Sequence, residues 1–149
     1  MRYNKIFNNF KKLINNNLIK KTMKLKTIID SMDGLTNLAS VKLPAILSYK
    51  LALLLKHIDV EVAIYNKVRI EKAKEIGTAE EKDGKPTGNY KFETPEKVAE
   101  FTKVLEELGD QEIELKIPNI KIDDLKTEAG KELVVEPKYL AQLEWLIKE

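Results

Sequence analysis

The 149-residue sequence has no cysteine, a single histidine and, among its 26 basic residues, only two arginines, Arg2 and Arg69. Without cysteine there are no disulfides, thiolate metal sites or cysteine nucleophiles. With so little arginine there are few planar forks to read guanine edges or clamp phosphates. Aromatic residues make up 7% of the chain and are not interleaved with arginine, so no stacking platform for single strands is visible. Lysines could still neutralise phosphates non-specifically, but together these shortages weigh against nucleic acid as a partner. The longest strongly apolar run, Leu51 to Leu55, falls well below the roughly 20 residues that span a bilayer. No membrane span is expected, and the chain is expected in the cytoplasm.

What is present is charge and helical pattern. A net charge of +2 hides an asymmetry: eight basic residues and no acid precede Asp30. Six of the 26 basic residues lie before Met23, so the remaining 20 face 24 acids and that portion carries −4. Residues 1–22 hold six asparagines, yet Ile6, Phe7, Phe10, Leu13, Ile14 and Leu18 follow helical spacing with lysines between. This segment reads as a basic, Asn-rich arm or an upstream extension. The absence of serine and of a small-residue cleavage site weighs against a targeting peptide. Residues 23–149 read as one helix-rich α+β domain, and a chain beginning at Met23 is expected to keep the fold.

Within that domain, Ile28, Ile29, Met32, Leu35 and Leu38 predict a short helix broken or bent near Gly34. Pro44 opens a long central helix running to Ile76, with Gly77 as its stop. Leu47, Leu51, Leu54, Ile58, Val62 and Tyr65 form its main stripe, while Ile46, Leu53, Val60 and Ile64 lie off it and call for a second cover. Residues 78–91 read as a loop rich in charge, glycine and proline. Thr94 caps a third helix, with Pro95 at its first position and Gly109 at its end. Ile113, Leu115 and Ile117 alternate with charged residues as a half-buried strand, which Ile120 and Ile122 extend. A further strand at Leu133–Val135 and a last helix from Pro137, bearing Leu140, Leu143, Leu146 and Ile147, complete the reading. The expected architecture is α+β: the long helix, two or three others and a small antiparallel sheet.

Residues that could carry chemistry do not assemble into a motif. His57 has one carboxylate at helical spacing, Glu61, and two ligands do not make a metal site. None of the three serines, Ser31, Ser40 and Ser48, sits in a strand–turn–helix elbow. Asp83-Gly84-Lys85-Pro86-Thr87-Gly88 lacks the spacing of a phosphate-binding loop. The adjacent carboxylates Glu80/Glu81, Glu106/Glu107 and Asp123/Asp124 need not converge, because neighbours on a helix point apart. No catalytic, cofactor-binding or metal residue is assigned, and no cofactor is expected.

One resemblance covers most of the chain from Met23 on. Leu43-Pro44-Ala45 opening a helix, Ser48-Tyr49-Lys50-Leu51-Ala52 within it, Pro95-Glu96-Lys97 before the next, and Glu136-Pro137 with Leu140-Ala141 and Leu143-Glu144-Trp145-Leu146-Ile147 are similar to small tailed-phage and prophage accessory proteins. The resemblance implies a non-enzymatic protein that acts by protein–protein binding in the host bacterial cell. On that footing it inhibits a host defence nuclease, as anti-CRISPR proteins do, or serves in virion or tail assembly. A small-molecule sponge or a non-specific nucleic-acid binder is the remaining alternative. The off-stripe residues of the long helix predict a homodimer.

Overall fold

A computed structural model describes residues 2–15, 18–127 and 129–148. Helix α1 (Arg2–Asn15) takes in five of the arm's six apolar positions, Leu18 falling in the next strand instead, and its Ile6 and Phe7 are exposed. Strand β1 (Leu18–Lys24) follows and pairs antiparallel with β4 (Glu112–Pro118) over seven residue pairs, from Leu18↔Pro118 to Lys24↔Glu112. The strand therefore runs across the arm–domain boundary at residue 22. Alternation sorts its faces: Met23, Leu115 and Ile117 point into the core, while Lys20 and Glu114 sit outside and pair at 3.4 Å. Lys24 reaches Asp110 at 2.9 Å, and this hydrogen bond, with the carboxylate charge, raises its pKa above the usual 10.5.

The next segment is two helices, α2 (Leu25–Asp30) and α3 (Met32–Ala39), and the break falls at Ser31 rather than near Gly34. Gly34 lies inside α3 because the chain there must pass close to the C-terminal segment. A β-carbon at that position would sit 3.1 Å from both Gln142 Oε1 and Leu143 Cγ.

Helix α4 (Ala45–Ile76) is the spine, 32 residues long. It begins one residue after Pro44 and ends where the Gly77 amide donates to Ala73 O at 2.8 Å. Its Leu47, Leu51, Leu54 and Ile58 are buried with Ile28, Leu35, Leu38, Leu115, Leu143 and Leu146 in one core. Val62 packs against that core, half-buried, and Tyr65 is also half-buried. Helix α5 (Pro95–Gly109) lies on α4 and α2. Thr94 caps it as the sequence predicts, its hydroxyl accepting from the Lys97 amide at 3.3 Å. Phe92 stacks on Phe101 at 4.6 Å between ring centres, tying the segment that leads into α5 to the helix itself.

Three stretches differ from the sequence reading. Residues 78–91 are not a loop but an antiparallel hairpin, β2 (Thr78–Lys82) and β3 (Lys85–Lys91). Asp83 and Gly84 turn it with φ of 54° and 74°. Positive φ at both central residues is the two-residue turn whose twist matches paired strands. The strands went unseen because their flanks are charged rather than alternating, and residues 81–89 are exposed on both faces.

Leu133–Val135 forms no strand. Only an isolated bridge, Lys126↔Glu132, precedes it, and Val134 is 95% exposed. The last helix, α6 (Pro137–Gln142), stops before Leu143, and a turn leads to β6 (Ile147–Lys148). That strand pairs in parallel with β5 (Ile120–Lys121), after which Ile122–Asp124 forms a short 3₁₀ turn. The result is α+β, with six α-helices among the described residues and three two-stranded sheets, two antiparallel and one parallel. No helix among the described residues is long and apolar enough to cross a membrane.

Candidate protein interface

Successive residues of an α-helix turn by about 100°. On that wheel Leu47, Leu51, Leu54 and Ile58 occupy a sector of about 60° that the core covers. Ile46, Leu53, Val60 and Ile64 share a sector of about 40°, centred roughly 130° away from it. The described residues leave this second sector largely uncovered: the four residues are 49%, 38%, 55% and 56% exposed. Single exposed apolar residues are ordinary, whereas a row of four on one rigid element is a candidate contact surface. Lys50, His57 and Glu61 flank the stripe on one side, Tyr49, Lys56 and Lys67 on the other. At its N-terminal end a groove of about 380 Å³ opens between Ile46 and Lys50 and the acidic turn of Asp123 and Asp124.

The side chains capable of chemistry are placed apart from one another. His57 Nε2 and Glu61 Oε1 stand 3.9 Å apart, one turn along α4, the histidine exposed and the glutamate half-buried. Among the described residues no group of three or more histidines and carboxylates is placed to hold a metal ion. Ser40 and Ser48 donate to the main-chain oxygens of Asn37 at 2.7 Å and Leu43 at 3.2 Å. Glu80 pairs with Lys91 at 3.2 Å, Glu107 with Lys103 at 3.9 Å, and Asp124 accepts from the Lys121 amide at 3.0 Å. Among the described residues, Lys72 and Lys138 also have displaced pKa values. Hydrogen bonds to Glu75 and Glu136 raise them.

Ser31 is the polar residue that sequence reasoning undervalued. It is buried, with Oγ 2.6 Å from Thr27 O and 2.8 Å from Gln142 O, and it accepts from Trp145 Nε1 at 2.8 Å. The Gly34 amide donates to Gln142 Oε1 at 2.7 Å beside it. A hydroxyl with one proton and these neighbours is fully engaged, so Ser31 clamps the α2–α3 break to the C-terminal segment and is not poised as a nucleophile. The sequence signal was a serine in the middle of an otherwise apolar helical pattern.

No protein-family model matches the chain, and no curated protein or solved structure matches it either.

Proposed function

We propose that the protein works by protein–protein contact rather than by catalysis, with the outer face of α4 as its contact surface. The observation that carries this reading is the exposed row of Ile46, Leu53, Val60 and Ile64 on a helix whose opposite side is anchored in the core. A contact surface on a rigid helix binds without first having to be ordered, which keeps the entropic cost of association low. The likeness of the sequence to phage accessory proteins supplies the setting: the cytoplasm of a host bacterium, with a host defence nuclease as the leading partner.

A photo-reactive residue at Val60, compared with one at Val98 of α5, which is exposed to a similar degree, tests the surface in host cells. Cross-links at Val60 and none at Val98 are expected. Purified protein should then block cleavage by the captured nuclease at stoichiometric amounts, and Val60→Glu should abolish the block. Capture of tail or capsid components instead would move the protein to virion assembly. Equal, weak labelling at both positions would refute the surface.

A further inference from the structure

Helix α1 is built from two kinds of residue that separate cleanly around its axis. At about 100° per residue, the positions of Tyr3, Ile6, Phe7, Phe10, Leu13 and Ile14 fall within one sector of about 120°. Every other position of the helix is lysine, arginine or asparagine, and none of these enters that sector. Ile6 and Phe7 are 67% and 53% exposed, so the described residues leave them largely uncovered. Asparagine is a poor helix former, and a helix of 14 residues is marginal in water by itself. Whatever takes up the apolar sector therefore also stabilises the helix.

The charges name the occupant. Arg2, Lys5, Lys11 and Lys12 are the charged residues of α1, and no acid stands among them. Position 2 borders the apolar sector on one side and position 11 on the other, about 20° and 40° beyond its edges. Lys5 and Lys12 are exposed. A second α1 would bring only more cations to the pairing, whatever its register or direction. A nucleic acid would satisfy the cations but leave the apolar sector in water. An anionic bilayer surface satisfies both, because acyl chains accept the apolar sector while headgroups on either side meet the flanking cations. We infer that α1 lies flat on an anionic phospholipid surface in this way. From Met23 on, 20 bases stand against 24 acids, so the same surface attracts the arm and repels the body. β1, paired with β4 along its length, ties the helix to the domain. Attachment through α1 is independent of contact through α4, and it needs no helix that crosses the bilayer.

Vesicles of equal parts phosphatidylglycerol and phosphatidylcholine should carry the protein down on sedimentation. Pure phosphatidylcholine vesicles should bind it about tenfold more weakly, or less. Lys5→Gln combined with Lys12→Gln should weaken binding to the mixed vesicles about tenfold, and Ile6→Asn should do the same. Circular dichroism should show each variant folded. Because the chain contains no cysteine, single cysteines carrying a polarity-sensitive dye report which side of α1 is buried. Emission from Ile6→Cys should shift to the blue on the mixed vesicles. Emission from Asn8→Cys, about 160° around the helix, should not. Equal shifts would overturn the flat orientation. Binding lost with the lysine pair but kept by Ile6→Asn would make the arm a polyanion binder and overturn the lipid reading. Equal binding to both vesicle types, or binding to neither, would overturn it too. Val60→Glu should bind the mixed vesicles as the wild type does, and its failure would move the lipid contact to α4.

Discussion

Two antiparallel strand pairs in this molecule have similar lengths and opposite characters. β1–β4 joins segments roughly ninety residues apart and lays Met23, Leu115 and Ile117 over the core. β2–β3 joins neighbours through Asp83-Gly84 and stands exposed on both faces. The first exists because burying one face offsets the entropy of closing a long loop. The second exists because its turn makes pairing local and cheap, and an isolated hairpin of that kind is marginal by itself. Hydrogen-bonded strands therefore say little about stability until it is known what lies behind them.

The contrast is most exposed to Leu115→Ala. Leu115 is fully buried, so urea unfolding should show a loss of about 2–5 kcal/mol, against well under half of that for Tyr90→Ala on β3. Equal losses would break the distinction. Next come two truncations. A chain beginning at Leu18 keeps β1 whole and should lose little, whereas one beginning at Met23 removes five of its seven paired residues. The shorter chain should be destabilised by about 2 kcal/mol or more, the scale of one large buried side chain. Identical thermal midpoints would place β1 outside the cooperative unit.

Ser31→Ala should cost about 1–3 kcal/mol, because it strands the Trp145 indole N–H and the part-buried Gln142 carbonyl. Trp145 is the sole tryptophan, so a changed emission maximum in the folded state should accompany the loss. An unchanged spectrum and midpoint would show that the clamp holds nothing. The smallest effect belongs to the hairpin. Limited trypsin digestion should cut first after Lys82, since Pro86 protects the bond after Lys85. The nicked protein should unfold at nearly the same temperature. Earlier cleavage at Lys56 or Lys67 would contradict the rigidity of α4.

Legibility followed the range of the interaction. Helices α4 and α5 were readable because Pro44, Gly77, Thr94, Pro95 and Gly109 act within a turn of the ends they mark, and the periodicity between them is long. β4 was readable from strict alternation. β1 was not, because Leu-Ile-Lys-Lys-Thr-Met-Lys buries one residue fully and its partner strand lies far along the chain. Leu133–Val135 misled in the other direction, being apolar and β-branched but without a partner strand. The candidate interface was half legible: spacing separated Ile46, Leu53, Val60 and Ile64 from the core stripe, but could not say whether the rest of the chain covers them.

By itself, then, the sequence determined the α+β class, the long helix with its caps, the division of that helix into two apolar rows, and the poverty of chemical groups. These follow from composition and from forces acting over three or four residues. Tertiary structure alone decided that the α2–α3 break falls at Ser31, that residues 18–22 complete a strand, and that one row of α4 faces the core while the other is left open. Each of those outcomes depends on which distant surface arrives alongside, and burial against a distant surface is not written in any local pattern.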